Sequence, residues 1–220
     1  MTFSSEWEKR YQPNMKMSIW PWSDLISYVI RYVSPKKKKM RVLELGCGAG
    51  ANIPFFLDRN FKYYGIDGSK TVINKLKRKF PEIKDNLVAS NFTEQIPFEE
   101  KFDLVVDRAS LTHNTTKEIK NCLKIVFSKM EKDARYIGID WYSTHHYDYS
   151  NFVKKIEKYS RTEYSKGQFK NVGTVHFTNK IHLQKLFNEF EILVLEHKVV
   201  TKKIPKEKKF ASWNFVAKKN

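Results

Sequence analysis

The segment Val42-Leu43-Glu44-Leu45-Gly46-Cys47-Gly48-Ala49-Gly50 constrains this chain more than any other. An apolar run of strand length passes into three glycines at alternate positions, and a helical pattern follows. Glycine permits a tight turn and lets backbone amides approach a ligand closely. Roughly twenty residues beyond the turn, Asp67 stands at the tip of a second strand pattern, where a carboxylate can accept both hydroxyls of a ribose. The two features together point to a ligand that contains a nucleoside.

The rest of the chain supplies the frame for such a site. Apolar residues at Leu25, Ile26, Val29, Ile30 and Val33 predict a helix over Ser23 to Val33, with Ser23 as its cap. Strands are predicted at Arg41 to Leu45, Lys62 to Ile66, Asn86 to Ala89, Phe102 to Val106 and Ala134 to Ile139. Helices are predicted from Asn52 to Asp58, from Ser69 to Phe80 and from Thr116 to Met130. Strands alternating with helices argue for a parallel sheet covered on both faces. Beyond Asp140 the pattern changes. Trp141 to Phe177 is polar and aromatic, with a short helix predicted at Phe152 to Tyr159. A helix over Asn179 to Phe190 precedes two strands, Glu191 to Val200 and Phe210 to Ala217, expected as an antiparallel pair at the sheet edge. The long aromatic stretch reads as a lid or binding loop.

Charge discriminates between nucleoside ligands. Gly46, Gly48 and Ala51 also satisfy a relaxed dinucleotide pattern, so a nicotinamide-dependent oxidoreductase is a rival reading. The strand tips, however, carry Glu44, Asp67, Asp107 and Asp140. Converging carboxylates repel a pyrophosphate but suit a sulfonium and an ammonium group. A zwitterionic amino acid joined through sulfonium to adenosine fits better.

These residues resemble the class I S-adenosylmethionine-dependent methyltransferases. Glu44-Leu45-Gly46-Cys47-Gly48-Ala49-Gly50 is similar to the family's cofactor loop, Tyr64-Gly65-Ile66-Asp67-Gly68-Ser69 to its ribose-binding strand tip, and Phe102 to Asp107 to the strand that ends under the methionine moiety. The likeness runs from Arg41 to Asp140 in order and spacing. It implies an α/β three-layer sandwich with a seven-stranded, mostly parallel sheet whose last strand is antiparallel. It implies S-adenosyl-L-methionine as cofactor and S-adenosyl-L-homocysteine as product. The cofactor contacts it implies are Glu44, Gly46, Cys47, Gly48, Gly50, Asn52, Asp67, Gly68, Ser69, Asn91, Phe92, Asp107 and Arg108. Asn91 stands where the family often has an acid near the adenine amino group, and its amide oxygen can still accept. The expected organisation is a single methyltransferase domain over 1–220, with an N-terminal cap and first helix over 1–40 and a substrate-side lid over 141–178.

Methyl transfer needs an aligned acceptor and, for a hydroxyl or ammonium nucleophile, a base. His113, after the fourth strand, and Asp140, after the fifth, are the catalytic candidates. Trp22, Trp141, Tyr142, His145 and His146 are the candidates for holding substrate. Asp107 and Asp140 also sit where some relatives bind magnesium, but Arg108 and Trp141 follow them, and no metal is expected. No cysteine lies in the acceptor region, which favours oxygen or nitrogen over carbon as the methylated atom.

Composition narrows the partners. The net charge is +17, from 33 Lys and 8 Arg against 24 acids. Arginine reads phosphate and base edges better than lysine, so this balance favours a general lysine excess over a nucleic-acid surface. RNA remains the rival acceptor, and a non-catalytic binding module with a degenerate loop the rival outside enzymes. The run Pro35 to Lys39 resembles a nuclear-import signal but also suits a solvated loop. The polar start, Met1 to Arg10, lacks an apolar signal core, and Cys47 and Cys122 show no metal-ligand spacing. A cytoplasmic protein acting on a small molecule, away from membranes, is expected; the sequence leaves its oligomeric state open.

Overall fold

Strand β1 (Arg41–Leu45) lies inside a seven-stranded sheet because its side chains are apolar on both faces, and four of its five residues are buried. The computed structural model describes residues 5–11, 18–34, 39–151 and 154–220. The other strands are β2 (Lys62–Asp67), β3 (Leu87–Ala89), β4 (Phe102–Arg108), β5 (Met130–Tyr142), β9 (Glu191–Lys202) and β10 (Lys208–Lys218). Their order is β3-β2-β1-β4-β5-β10-β9. Strands β1 to β5 run parallel, while β10 pairs antiparallel with both β5 and β9. The sheet is therefore seven-stranded and mostly parallel, with the antiparallel pair at one edge.

Helices cover both faces. Against one pack α2 (Ser23–Tyr32), α3 (Ile53–Asp58) and α4 (Lys70–Lys79), whose Leu25, Phe56 and Leu76 join Val42, Leu104 and Ile137 in one core. Against the other pack α5 (Thr116–Lys129) and α7 (Lys180–Leu186), through Leu123, Val126 and Leu183 against Val105, Tyr136 and Phe215. Helix starts carry their own signals. Ser69 accepts from the Val72 amide, and Thr115 with Glu118 forms a reciprocal capping box. The strand order reverses between β1 and β4, which opens a cleft at their carboxyl ends.

A smaller unit stands over that cleft. Strands β6 (Lys154–Lys155), β7 (Ser160–Thr162) and β8 (Val175–His176) form an antiparallel sheet with its own core of Tyr164, Phe169, Val172, Val175 and Phe177. Helix α1 (Ser5–Arg10) reaches the cleft from the other end of the chain.

Three sequence expectations are corrected. Trp22, not Ser23, is the cap residue of α2, and it makes no side-chain cap bond. The helix expected over Phe152 to Tyr159 is absent among its described residues, which form β6 and a bend; the short helix α6 lies earlier, at Tyr147–Ser150. Strand β5 does not stop at Ile139 but runs through Asp140 and Trp141 to Tyr142, held by β10 pairing at Trp213 and Ser212. Residues 35–38 of the lysine run lie outside the described residues.

Candidate active site

A cavity of about 450 Å³ occupies the cleft, a size suited to one small ligand or cofactor. Its floor is the glycine turn after β1. Gly46, Gly48 and Gly50 all have positive φ. A Cβ on Gly46 would meet Ser110 Cβ at 2.3 Å, so glycine there admits the loop after β4. A Cβ on Gly50 would meet Leu76 Cδ2 at 2.6 Å, so glycine there lets α4 close on the turn.

Three buried acids surround this turn. Glu44 accepts from Asn52 Nδ2 at 2.7 Å and from the Tyr63 hydroxyl. Burial pushes its carboxyl up to about 7. Asp67 accepts from the Gly48 amide at 3.0 Å, the Ser69 amide at 2.9 Å and the Tyr11 hydroxyl, yet burial still raises it to about 6. Asp107 accepts from Ser110 and Leu111 on one oxygen and from Trp141 Nε1, at 2.6 Å, on the other. Burial raises it as well. All three are harder to ionise than in water, and Asp67 and Asp107 each add to the cost at Glu44. A cationic ligand relieves that cost, whereas a pyrophosphate increases it.

At the other end the walls are aromatic. Trp7, Trp22, His113 and Tyr142 line the cavity with Arg108 and Thr174. Asn52 Oδ1 accepts from the Trp22 amide, tying α2 to the glycine turn. The Arg108 guanidinium lies 3.5 Å from the centre of the Trp22 ring and donates to Asp140 at 2.8 Å. His113 Nδ1 is 3.1 Å from the Thr174 carbonyl oxygen. A carbonyl only accepts, so Nδ1 carries a proton. Trp7 meets the His113 ring edge-on, with centroids 4.8 Å apart.

Residues 42–133 match the family model described as a methyltransferase domain. Over these residues the chain carries a methyltransferase domain, on a fold of the class I methyltransferase kind. Structures similar to this methyltransferase agree in fold. An S-adenosylmethionine-dependent methyltransferase from Methanosarcina mazei has a TM-score of 0.69 at 18% identity, covering 91% of this chain and 98% of that one. The N-methyltransferase NodS from Bradyrhizobium japonicum, in complex with S-adenosyl-L-homocysteine, has a TM-score of 0.64 at 12% identity, covering 98% and 97%. A candidate Zn-dependent alcohol dehydrogenase from Rhodobacter sphaeroides also matches, with a TM-score of 0.69 at 11% identity over 100% of both chains. Likeness at such identities is of fold alone. No curated protein sequence matches the chain.

The methyltransferase cavity gathers many of the residues expected from sequence. Glu44, Gly46, Cys47, Gly48, Asn52, Asp67, Asn91, Phe92 and Arg108 line it, as do His113, Trp22 and Tyr142. Others stand behind it. Gly50 serves helix packing, Gly68 lies outside the lining, and Ser69 caps α4. Asp107 is fully buried and organises the Ser110 loop rather than facing the cavity.

Four expected residues stand away from the cavity lining. Trp141 is fully buried against Phe187 and Phe215, bonded to Asp107, so it cannot stack on substrate. Asp140 is outside the lining, and Arg108 and the Ser212 hydroxyl engage its carboxylate. His145 faces His197, and His146 is buried against Phe169 and Phe210 while its ring nitrogens meet Gln168 and the Asp148 amide. The carboxylates of Asp107 and Asp140 are thus engaged by protein donors, a poor arrangement for magnesium. Asn91 turns its amide oxygen toward Thr93, within its own loop.

Trp7, Tyr11, Ser110 and Thr174 line the cavity without having been singled out as site residues from sequence. For Trp7 and Tyr11 the sequence signal is the cluster of aromatics Trp7, Tyr11, Trp20 and Trp22. Helix α1 is anchored beside the cavity by Glu8, which accepts from the Thr71 hydroxyl, and Lys75 donates to the Tyr11 carbonyl at 2.6 Å.

Proposed function

We propose that this methyltransferase transfers the methyl group of S-adenosylmethionine to an oxygen or nitrogen of a small polar acceptor, with His113 as base. The observation that carries this reading is the placement of His113. Thr174 holds a proton on Nδ1, and His113 lines the aromatic end of the cavity.

When bound, the cofactor supplies a methyl group activated by its sulfonium. Asp67 would hold the ribose hydroxyls, Glu44 and the glycine turn the amino-acid part, and Phe92 with the Asn91 loop the adenine. The acids near that turn favour the cofactor's positive charge. Tyr142, whose hydroxyl burial keeps protonated, orients the acceptor. Trp7 and Tyr142 give it flat walls, which suit a sugar-like or ring-shaped molecule. His113 Nε2 takes the acceptor proton as the new bond forms. Helix α1 and the small sheet β6-β7-β8 act as a cap and a lid that exclude water. Two buried free thiols, Cys47 and Cys122, suit a cytoplasmic enzyme.

RNA is the less favoured acceptor despite the +17 charge. Glu6 and Glu118 line the cavity and oppose phosphate there.

Transfer of a labelled methyl group should be screened over small hydroxyl and amine acceptors and, separately, over RNA. With an acceptor in hand, His113→Gln should slow transfer by about 100-fold or more while S-adenosylhomocysteine affinity stays unchanged. Undiminished turnover would remove His113 as base. Methylation of RNA alone would replace the small-molecule reading.

A further inference from the structure

We infer that the outer edge of β9 is a docking surface for a second copy of this chain, giving a two-fold dimer with one sheet continuous through both subunits. Strand β9 has twelve residues and ends the sheet; among the described residues it pairs only with β10. Its free edge carries a row of unpaired backbone donors and acceptors, the usual template for strand addition. The segment Glu191 to Lys202 contains neither proline nor glycine to interrupt pairing. It also exposes apolar side chains: Leu193 at 42%, Val199 at 47% and Val200 at 49%. Lys198, the central cation of the edge, is turned toward α2 by its bond to Asp24 at 2.6 Å, and Glu196 is turned the same way by the Tyr28 hydroxyl.

The occupant follows from symmetry and charge. A two-fold axis perpendicular to a sheet keeps every side chain on its own face, so only residues an even number of positions apart can oppose each other. Centring the axis on Glu196 sets that carboxylate against its own copy. Centring it on Lys198 sets two ammonium groups together. Like charges directly opposite each other destabilise a strand pair.

Centring it on His197 removes both clashes. Glu196 then opposes Lys198 of the partner subunit, Leu195 opposes the partner's Val199, and Val194 opposes the partner's Val200. The first sets opposite charges on the same face, and the other two cover the exposed valines. Leu195 and Val194 already rest on the two cores of the sheet, so the contact extends both cores across the axis. His197 stacks on Trp213, with ring centroids 4.1 Å apart, which holds the centre of the strand flat. A heterologous partner would not require the strand to be complementary to itself; a second copy does.

Sedimentation of the full chain across a roughly hundredfold concentration range tests the inference. The expected species at the upper end has twice the 26.2 kDa mass of one chain. Val199→Lys with Val200→Lys changes exposed positions only. It should weaken association by about a hundredfold or more with an unchanged circular dichroism spectrum. A second readout fixes the register and does not depend on that variant folding. Under oxidation His197→Cys should form a disulfide-linked dimer, because directly opposed Cβ atoms lie about 5 Å apart. Leu193→Cys, displaced along the strand from its own copy, should not. A monomer at every concentration, open-ended assemblies, association untouched by the double lysine variant, or cross-linking at residue 193 instead of 197 would each overturn the inference.

Discussion

The cofactor end of the cleft and the small unit above it bury ionisable groups of opposite kinds. At the cofactor end Glu44 and Asp67 are buried carboxyls, pushed up to about 7 and about 6. In and beside the small unit, His146 and His182 are pushed down to about 4 and His176 to about 3, in each case mainly by burial. Near neutral pH the first region holds negative charge reluctantly, while the buried histidines of the second carry no charge. The first is therefore prepared for a cation, and the second packs its imidazoles in the neutral form. His176 meets His182 at 3.2 Å and the Ser160 hydroxyl at 3.0 Å, Tyr159 stacks on His182, and Ser160 donates in turn to Glu157 at 2.6 Å.

The largest difference between the regions should appear in ligand affinity. Asp67→Ala should weaken S-adenosylmethionine binding by about 100-fold or more, since hydrogen bonds to a charged group contribute about 1.5–3 kcal/mol each. His146→Ala should leave that affinity within about twofold, because His146 packs in the small unit away from the cavity lining. Calorimetry on both variants would decide it, and equal losses would erase the division into two regions.

Acid should separate the regions next. A carboxyl raised on folding binds its proton more tightly in the folded chain. Its contribution is complete at about pH 4 and is lost as the pH rises through 6 to 7. A histidine lowered on folding behaves oppositely. Its contribution is present above its ordinary 6.5 and is lost as the pH falls through 4 to 3. Lowering the pH from 6.5 to 4 should therefore loosen residues 143–182 while the glycine turn tightens. Amide exchange resolved by segment would check this, after correction for the intrinsic pH dependence of exchange. A uniform response along the chain would contradict it.

How much of this was legible before the structure depended on the kind of signal. Strand β1, the glycine turn, Asp67 and the capping residues write their roles in local pattern, because an apolar run, an alternate-glycine turn and a Ser or Thr cap act over a few residues. The cavity floor followed directly from them. Trp141 misled because a tryptophan just past an expected strand end resembles a stacking residue. Strand β5 in fact continues, and the indole turns inward to bond Asp107, a residue far away in sequence. Asp140 misled for the same reason, since its partners Arg108 and Ser212 come from two other strands. Trp7 and Tyr11 reach the site only because α1 folds back onto α4 through Glu8 and Lys75. No local pattern encodes that return. The histidines of the small unit showed no periodicity that would distinguish a buried neutral ring from an exposed one.

The buried acids around the glycine turn make the cavity a site for a cation-bearing nucleoside. Calorimetric titration with S-adenosylmethionine at pH 7.5 and 5.5, with NAD alongside, tests it most directly. The expected result is saturable binding of S-adenosylmethionine, weaker at pH 5.5 by about tenfold as Glu44 and Asp67 take up protons, and no binding of NAD. Binding of NAD in preference, or an affinity for S-adenosylmethionine that rises in acid, would contradict it.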